Sequence, residues 1–381
     1  MRWWWGVVLD LVVSLPLASG ATVVRAPTSI LIESETGQTL LEQEADTPRP
    51  EGSLNQLMVL LLTLEQAALG ALPLDVPVTI SALVPQAGSE HRRLKRDGNG
   101  LGTMPLHADH AYLLSDLLKA VVIASANDAA VAAAEAMAGS VPACVELMNA
   151  RAQRLGMEAT HYTRIGSTPE LRSPAPDVTT ARDLARLGQA LVSHSAVRDW
   201  ASLTGLPFDG GSILLRNTNQ LLGTVAGVDG LQVASATDSY GIVATAQRGA
   251  LRLIAVVLDA PTSDARYSKA AEMLEWGFAH YDRLEVVKKD ERLSVPVRIA
   301  NGSVGQLTPV AGQTFSLLHW RGDEPNLQVR YQLPAVLESP VERQQQIGEV
   351  IIEQQGAVLA VIPALSPINV GRSGILSAAL P

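Results

Sequence analysis

The chain has 381 residues and a net charge of −9, from 38 acidic against 29 basic side chains. That balance excludes nucleic acid or an anionic membrane surface as the main partner. A single cysteine, Cys144, excludes a disulfide framework and a thiolate metal cluster, and the length accommodates two domains.

The N-terminus reads as a secretory leader over residues 1–21. Met1-Arg2 is a minimal basic start, "WWWGVVLDLVVSLPLA" an apolar core, and Ser19-Gly20-Ala21 a run of small residues for cleavage. The alternative is an uncleaved anchor, but the run falls short of the ~20 residues a span needs, and Asp10 and Pro16 interrupt it. Export to the periplasm or another extracytoplasmic space is the expectation, and no later segment is long and apolar enough to span a bilayer.

"SILIESETGQTLLEQ" (29–43) alternates around Glu35-Thr36-Gly37 and predicts a hairpin. Leu57 to Leu69 is apolar on nearly every face and predicts a buried helix stopping at Gly70. Its first turn carries Ser53 and Gln56, three apart, which reads as an N-cap and a capping box. Residues 71–114 read as irregular, with the basic stretch "EHRRLKRDGNG". Ser115 predicts the cap of a helix "SDLLKAVVIA". A second helix, "DAAVAAAEAMAG", follows Ser125-Ala126-Asn127 and stops at Gly139. Further helices cover 141–155, where Cys144 reads as core, and "TTARDLARLGQALV", capped by Thr179 or Thr180. "GIVATAQ" and "LRLIAVVLDA" predict strands, and "SKAAEMLEWGFAHYDRL" a closing helix. Strands at both ends with helices between them predict an α+β domain over residues 22–283.

Beyond Leu284 helical patterns are scarce, and short alternating runs predict a small all-β domain over 284–365, then a tail over 366–381. Arg321-Gly322-Asp323 reads as a turn between strands rather than an adhesion motif, and His91, His107 and His110 read as solvated loop residues rather than metal ligands. No metal or other cofactor is expected.

Three polar interruptions remain: Ser53 with Gln56, Ser125-Ala126-Asn127, and "VDGLQVASATDSYG" (228–241). In order and spacing they resemble the Ser-x-x-Lys, Ser-x-Asn and Lys-Thr-Gly signature of the penicillin-binding D-alanyl-D-alanine carboxypeptidases. The resemblance runs from about Ser29 to Pro363 and includes "SANDAAVAAAE", "LGMEATHY", "TARDLARLGQAL", "VDGLQ" and "LEWGF". It implies a β-lactamase-like transpeptidase fold followed by a β-rich domain, and a periplasmic serine peptidase acting on peptidoglycan.

The same resemblance implies roles. Ser53 takes the nucleophile's position, but Gln56 takes that of the lysine base, and an amide has no basic nitrogen at neutral pH. Ser125 and Asn127 keep the second motif. Gln232, Val233 and Ala234 stand where the family has Lys, Thr and Gly, removing a cation and a hydroxyl and adding a methyl. Ser235 stands where a histidine is often seen in the family, and Arg266 matches a family arginine near the substrate carboxylate. A replacement base would have to come from Lys119 or another amine folding into the site, and Lys119 has a simpler reading as a solvated helix residue. The leading expectation is an inactive relative that binds peptidoglycan peptide or docks on cell-wall enzymes. The alternatives are a residual carboxypeptidase using Ser53 and a ligand-free scaffold. The C-terminal stretch "SPINVGRSGILSAALP" has one arginine and no aromatic residue, so only weak membrane attachment is expected.

Overall fold

The computed structural model describes residues 27–87, 104, 106–166, 177–236, 239–323 and 325–373. The expected leader, the basic stretch at 90–100 and the last eight residues of the tail lie outside them.

The first unit is built on a five-stranded antiparallel sheet. Its strands are β1 (Thr28–Glu33), β2 (Thr39–Gln43), β3 (Val228–Ala236), β4 (Ser239–Arg248) and β5 (Leu251–Ala260), in the order β2-β1-β5-β4-β3. The β1–β2 hairpin is as the alternation predicts, with Leu31 opposite Leu41. From Leu253 to Leu258 strand β5 is apolar without interruption because both faces of the sheet are covered. Ile254, Val256 and Leu258 point into one core, while Leu253, Ala255 and Val257 point into the other.

The larger core lies under α1 (Gln56–Ala68), α2 (Leu114–Ala124), α3 (Asn127–Ala138), α4 (Val141–Arg154), α5 (Ala181–Val192) and α6 (Ser195–Ala201). The opposite face is covered by α7 (Ser263–His280). There Gly277 lets helix and sheet approach so closely that a Cβ would stand 2.6 Å from Leu253 Cδ1. Ser140 caps α4 and Thr180 caps α5, its hydroxyl accepting from Asp183 N at 3.1 Å. Cys144 is buried, and burial pushes its thiol up to about 12.

Three local expectations are corrected. Helix α2 starts at Leu114 with Leu113 as its cap, and no side chain caps it; the Ser115 N–H goes to Leu74 O instead. Part of the stretch read as irregular pairs as two short strands, Pro77–Thr79 with Ala111–Leu113. The closing helix ends at His280, and the residues after it form a strand, β6 (Tyr281–Val287). An apolar position every third or fourth residue persists through Tyr281 and Leu284, so periodicity alone ran past the true end.

Strand β6 pairs with β7 (Phe315–Trp320), and the second unit is all β. Its longest sheet contains β8 (Leu327–Gln332), β9 (Gln346–Gln354) and β10 (Ala357–Leu365) around a core of Val350, Ile352 and Ile362. Arg321 and Gly322 form the expected turn. Among the described residues no single helix is long and apolar enough to cross a membrane; the bent pair α3–α4 passes by length and composition only.

Candidate active site

The chain reaches α1 through Gly52, whose φ of +63° suits glycine, and a 3-10 turn over Gly52–Asn55. This turn packs on β3 and β4, with Leu54 against Gly241. Ser53 is buried in it, 7% exposed. The capping-box reading is overturned. Asn55 occupies the cap position of α1 and Glu51 that of the turn, and neither makes a side-chain cap. Gln56 does not reach back to Ser53, and among the described residues no hydrogen bond engages the Ser53 hydroxyl.

Gln56 reaches across the fold instead. Its Nε2 donates to Asn127 Oδ1 at 2.5 Å and lies 3.5 Å from Ser125 O. Its Oε1 accepts from Gln232 Nε2 at 2.8 Å. That same Gln232 nitrogen lies 3.2 Å from Ser125 Oγ and 3.3 Å from Val121 O. Ser125 sits at the end of α2 with φ +50°, and this left-handed turn aims its hydroxyl at Val233 O, 3.0 Å away. Gln56, Ser125, Asn127 and Gln232, from the three motifs, therefore meet in one hydrogen-bonded cluster. Gln56, Asn127 and Gln232 are fully buried and Ser125 is 3% exposed. In the family's scheme a lysine amine accepts the serine proton. By the family resemblance Gln56 and Gln232 stand at the two lysine positions; here they are neutral amides joined by one hydrogen bond, and neither accepts a proton at neutral pH. Gln232 Oε1 is left buried without a hydrogen bond, a cost the packing carries.

Asn55 is a site neighbour the sequence did not single out. Its Nδ2 donates to Asp177 Oδ2 and Arg164 O, both at 3.3 Å, and its Oδ1 accepts from Gly166 N at 2.9 Å. These partners lie more than one hundred residues away, so no local pattern announces them. Gly166 in turn presses on the network: a Cβ there would stand 2.2 Å from Asn127 Oδ1. Glu51, two residues before Ser53, is buried with both carboxylate oxygens unbonded. Burial, and then the Asp177 carboxylate, holds its pKa well above the usual carboxylate range. The buried Tyr162 hydroxyl is likewise unbonded, and burial, with Glu51 next, pushes its pKa up.

Val233 and Ala234 are buried in β3, opposite Ile242 and Gly241 of β4. Arg266 is 2% exposed and directed at backbone: its Nη1 donates to Ala234 O at 2.6 Å and lies 3.4 Å from Gly241 O. Its Nη2 donates to Tyr267 Oη and Ser263 Oγ, and its plane lies over the Tyr267 ring. Burial lowers its pKa from the usual arginine value. Lys119 bonds Asp116 at 2.8 Å and lies over Trp200, so its amine is engaged outside the motif network. The rings of His107 and His110 lie near one another, and no group of three or more metal-ligating side chains occurs among the described residues.

A turn bearing a serine, a Ser-x-Asn corner and a sheet edge, converging in an α+β unit followed by a β unit, define a penicillin-binding type of protein. The D-alanyl-D-alanine carboxypeptidase family model matches residues 16–262, and the model of the penicillin-binding protein 5 C-terminal domain matches residues 281–372. The chain belongs to the D-alanyl-D-alanine carboxypeptidase family. It is 29% identical over 357 residues to the D-alanyl-D-alanine carboxypeptidase DacC of Escherichia coli, covering 93% of this chain and 86% of that relative. Penicillin-binding protein 5 of Haemophilus influenzae superposes with a TM-score of 0.65 at 25% identity, over 93% of this chain and all of that one. The ampicillin-bound form of penicillin-binding protein D2 from Listeria monocytogenes superposes with a TM-score of 0.56 at 27% identity, over 68% of this chain and all of that one. The expected family and fold are thereby borne out.

Proposed function

We propose that this protein is an exported, catalytically silent relative of the serine D-Ala-D-Ala carboxypeptidases, acting in the cell wall by binding rather than by turnover. The observation that carries this reading is the 2.8 Å hydrogen bond between Gln232 and Gln56, the residues at both lysine positions. Loss of a general base costs about 10²–10⁴-fold in rate. Losses within one catalytic unit do not add, and what survives is binding and any oxyanion stabilisation. The burial of Gln56, Asn127 and Gln232 supports interaction through the outer surface over insertion of a peptide terminus beside Ser53.

A residual serine carboxypeptidase is the second reading, favoured by a Ser53 hydroxyl that no protein hydrogen bond consumes among the described residues. Incubation with a peptide ending in D-Ala-D-Ala separates the two. Silence predicts no D-alanine release above the Ser53→Ala background. Release that disappears in Ser53→Ala establishes the residual enzyme instead.

A further inference from the structure

At the end of β7 stands an exposed tryptophan packed against neighbouring rings. Trp320 is 41% exposed, yet its ring packs edge-on against Tyr281, with centroids 5.1 Å apart at 75°, and against Trp276 at 6.0 Å and 69°. His280 fills the corner, its ring 4.8 Å from Trp320 and its Nδ1 anchored on Trp276 O at 2.8 Å. Three elements, α7, β6 and β7, therefore fix one indole before any ligand arrives. That removes much of the ordering cost of binding.

Trp320 lines an open recess of about 560 Å³, within the range of small-ligand sites. Around it stand His319, Asp323, Asn326, Gln354 and Gln355. His319 Nδ1 lies 3.1 Å from Trp320 O and 3.2 Å from Asp323 O, two acceptors that anchor the ring on the rim. The side chains of Asp323, Asn326, Gln354 and Gln355 make no hydrogen bond among the described residues. Among the described residues lining the recess there is no lysine or arginine. The adjacent Arg321 is engaged, with Nε on Tyr281 O at 3.0 Å and Nη2 at 3.4 Å from Asp282. An anionic ligand would thus meet Asp323 with no cation to balance it.

We propose that this recess binds a neutral oligosaccharide. A pyranose offers an apolar C–H face to an indole and a rim of hydroxyls that both donate and accept. The fixed Trp320 and the unspent amides of Asn326, Gln354 and Gln355 supply both complements. The site lies in the β unit and does not depend on whether Ser53 is silent.

Calorimetric titration of the full chain with tri-N-acetylchitotriose and with cellotriose tests this. Saturable binding of at least one sugar is expected, weakened about tenfold or more in Trp320→Ala. Trp320→Phe, which keeps a ring in the cluster, should retain most of the affinity. Asn326→Ala touches none of the packed rings and should weaken binding several-fold while leaving the fold intact. Absence of saturable binding to both sugars overturns the proposal, as does binding unchanged in Trp320→Ala and Asn326→Ala. Saturable binding of a D-Ala-D-Ala peptide that is lost in Trp320→Ala would also overturn it, by assigning the recess to peptide.

Discussion

Gln56 Oε1 accepts a hydrogen bond from Gln232 Nε2 at 2.8 Å, across 176 positions of sequence. By the family resemblance these are the two positions of the family's cations, and here they hold a hydrogen-bonded pair of neutral amides. A lysine at either position alone would face an amide dipole and backbone carbonyls, with no carboxylate in the hydrogen-bonded set.

Such a pair predicts coupled stabilities. Gln56→Leu and Gln232→Leu each strand a buried amide and should cost about 1–3 kcal/mol in urea unfolding. The double substitution should cost less than the sum, by about 0.5 kcal/mol or more. Strict additivity would contradict the pairing.

Gln56→Lys alone should not restore D-alanine release, because Gln232, Val233 and Ala234 still lack the third motif's cation and hydroxyl. Burial lowers the folded-state pKa of the new lysine, so the unfolded chain binds more protons. The stability of the variant relative to the native protein should therefore rise with pH, up to the unfolded value of about 10.4. Urea unfolding at pH 7 and pH 9 reads this difference, and a fall with pH would contradict it.

Gly166 has φ +60° and its Cα faces Asn127 Oδ1. Gly166→Ala forces the Asn127 amide off Gln56 and strains the backbone, and should cost about 1–3 kcal/mol. An unchanged unfolding midpoint would mean that Gly166 does not close over the network.

Glu51 sets a pH dependence. Its folded pKa is raised, so above the unfolded value near 4.5 the folded state holds a proton that the unfolded chain has lost. Stability from this group is complete below that value and is lost as pH rises, by up to about 1.4 kcal/mol per pH unit until the folded pKa is passed. Glu51→Gln lacks this slope. The native protein minus Glu51→Gln should become less stable between pH 5 and about pH 7. A flat or rising difference would place an ionised Glu51 in the fold.

Much of this was legible in sequence where the determinant is local. The run Leu253–Leu258 reads as a strand because it is apolar and rich in β-branched residues, and Thr180 is a cap because three residues suffice to define one. The three motif positions were legible through their order and spacing, and the structure brings Ser125, Asn127, Gln232 and Gln56 within hydrogen-bond reach. Sequence failed at Gln56 itself. A serine followed three residues later by glutamine fits a capping box, but Gly52–Asn55 is a 3-10 turn. The amide is drawn away by Asn127 and Gln232, whose proximity is purely tertiary. Asn55, Gly166 and Glu51 were invisible for the same reason.

The most direct test is acylation of the intact protein by a labelled penicillin, read by mass after denaturation. The silent site predicts no adduct after prolonged incubation, in the native protein and in Ser53→Ala alike. A stoichiometric adduct on Ser53, absent from Ser53→Ala, would show that the serine is still activated and would contradict the account.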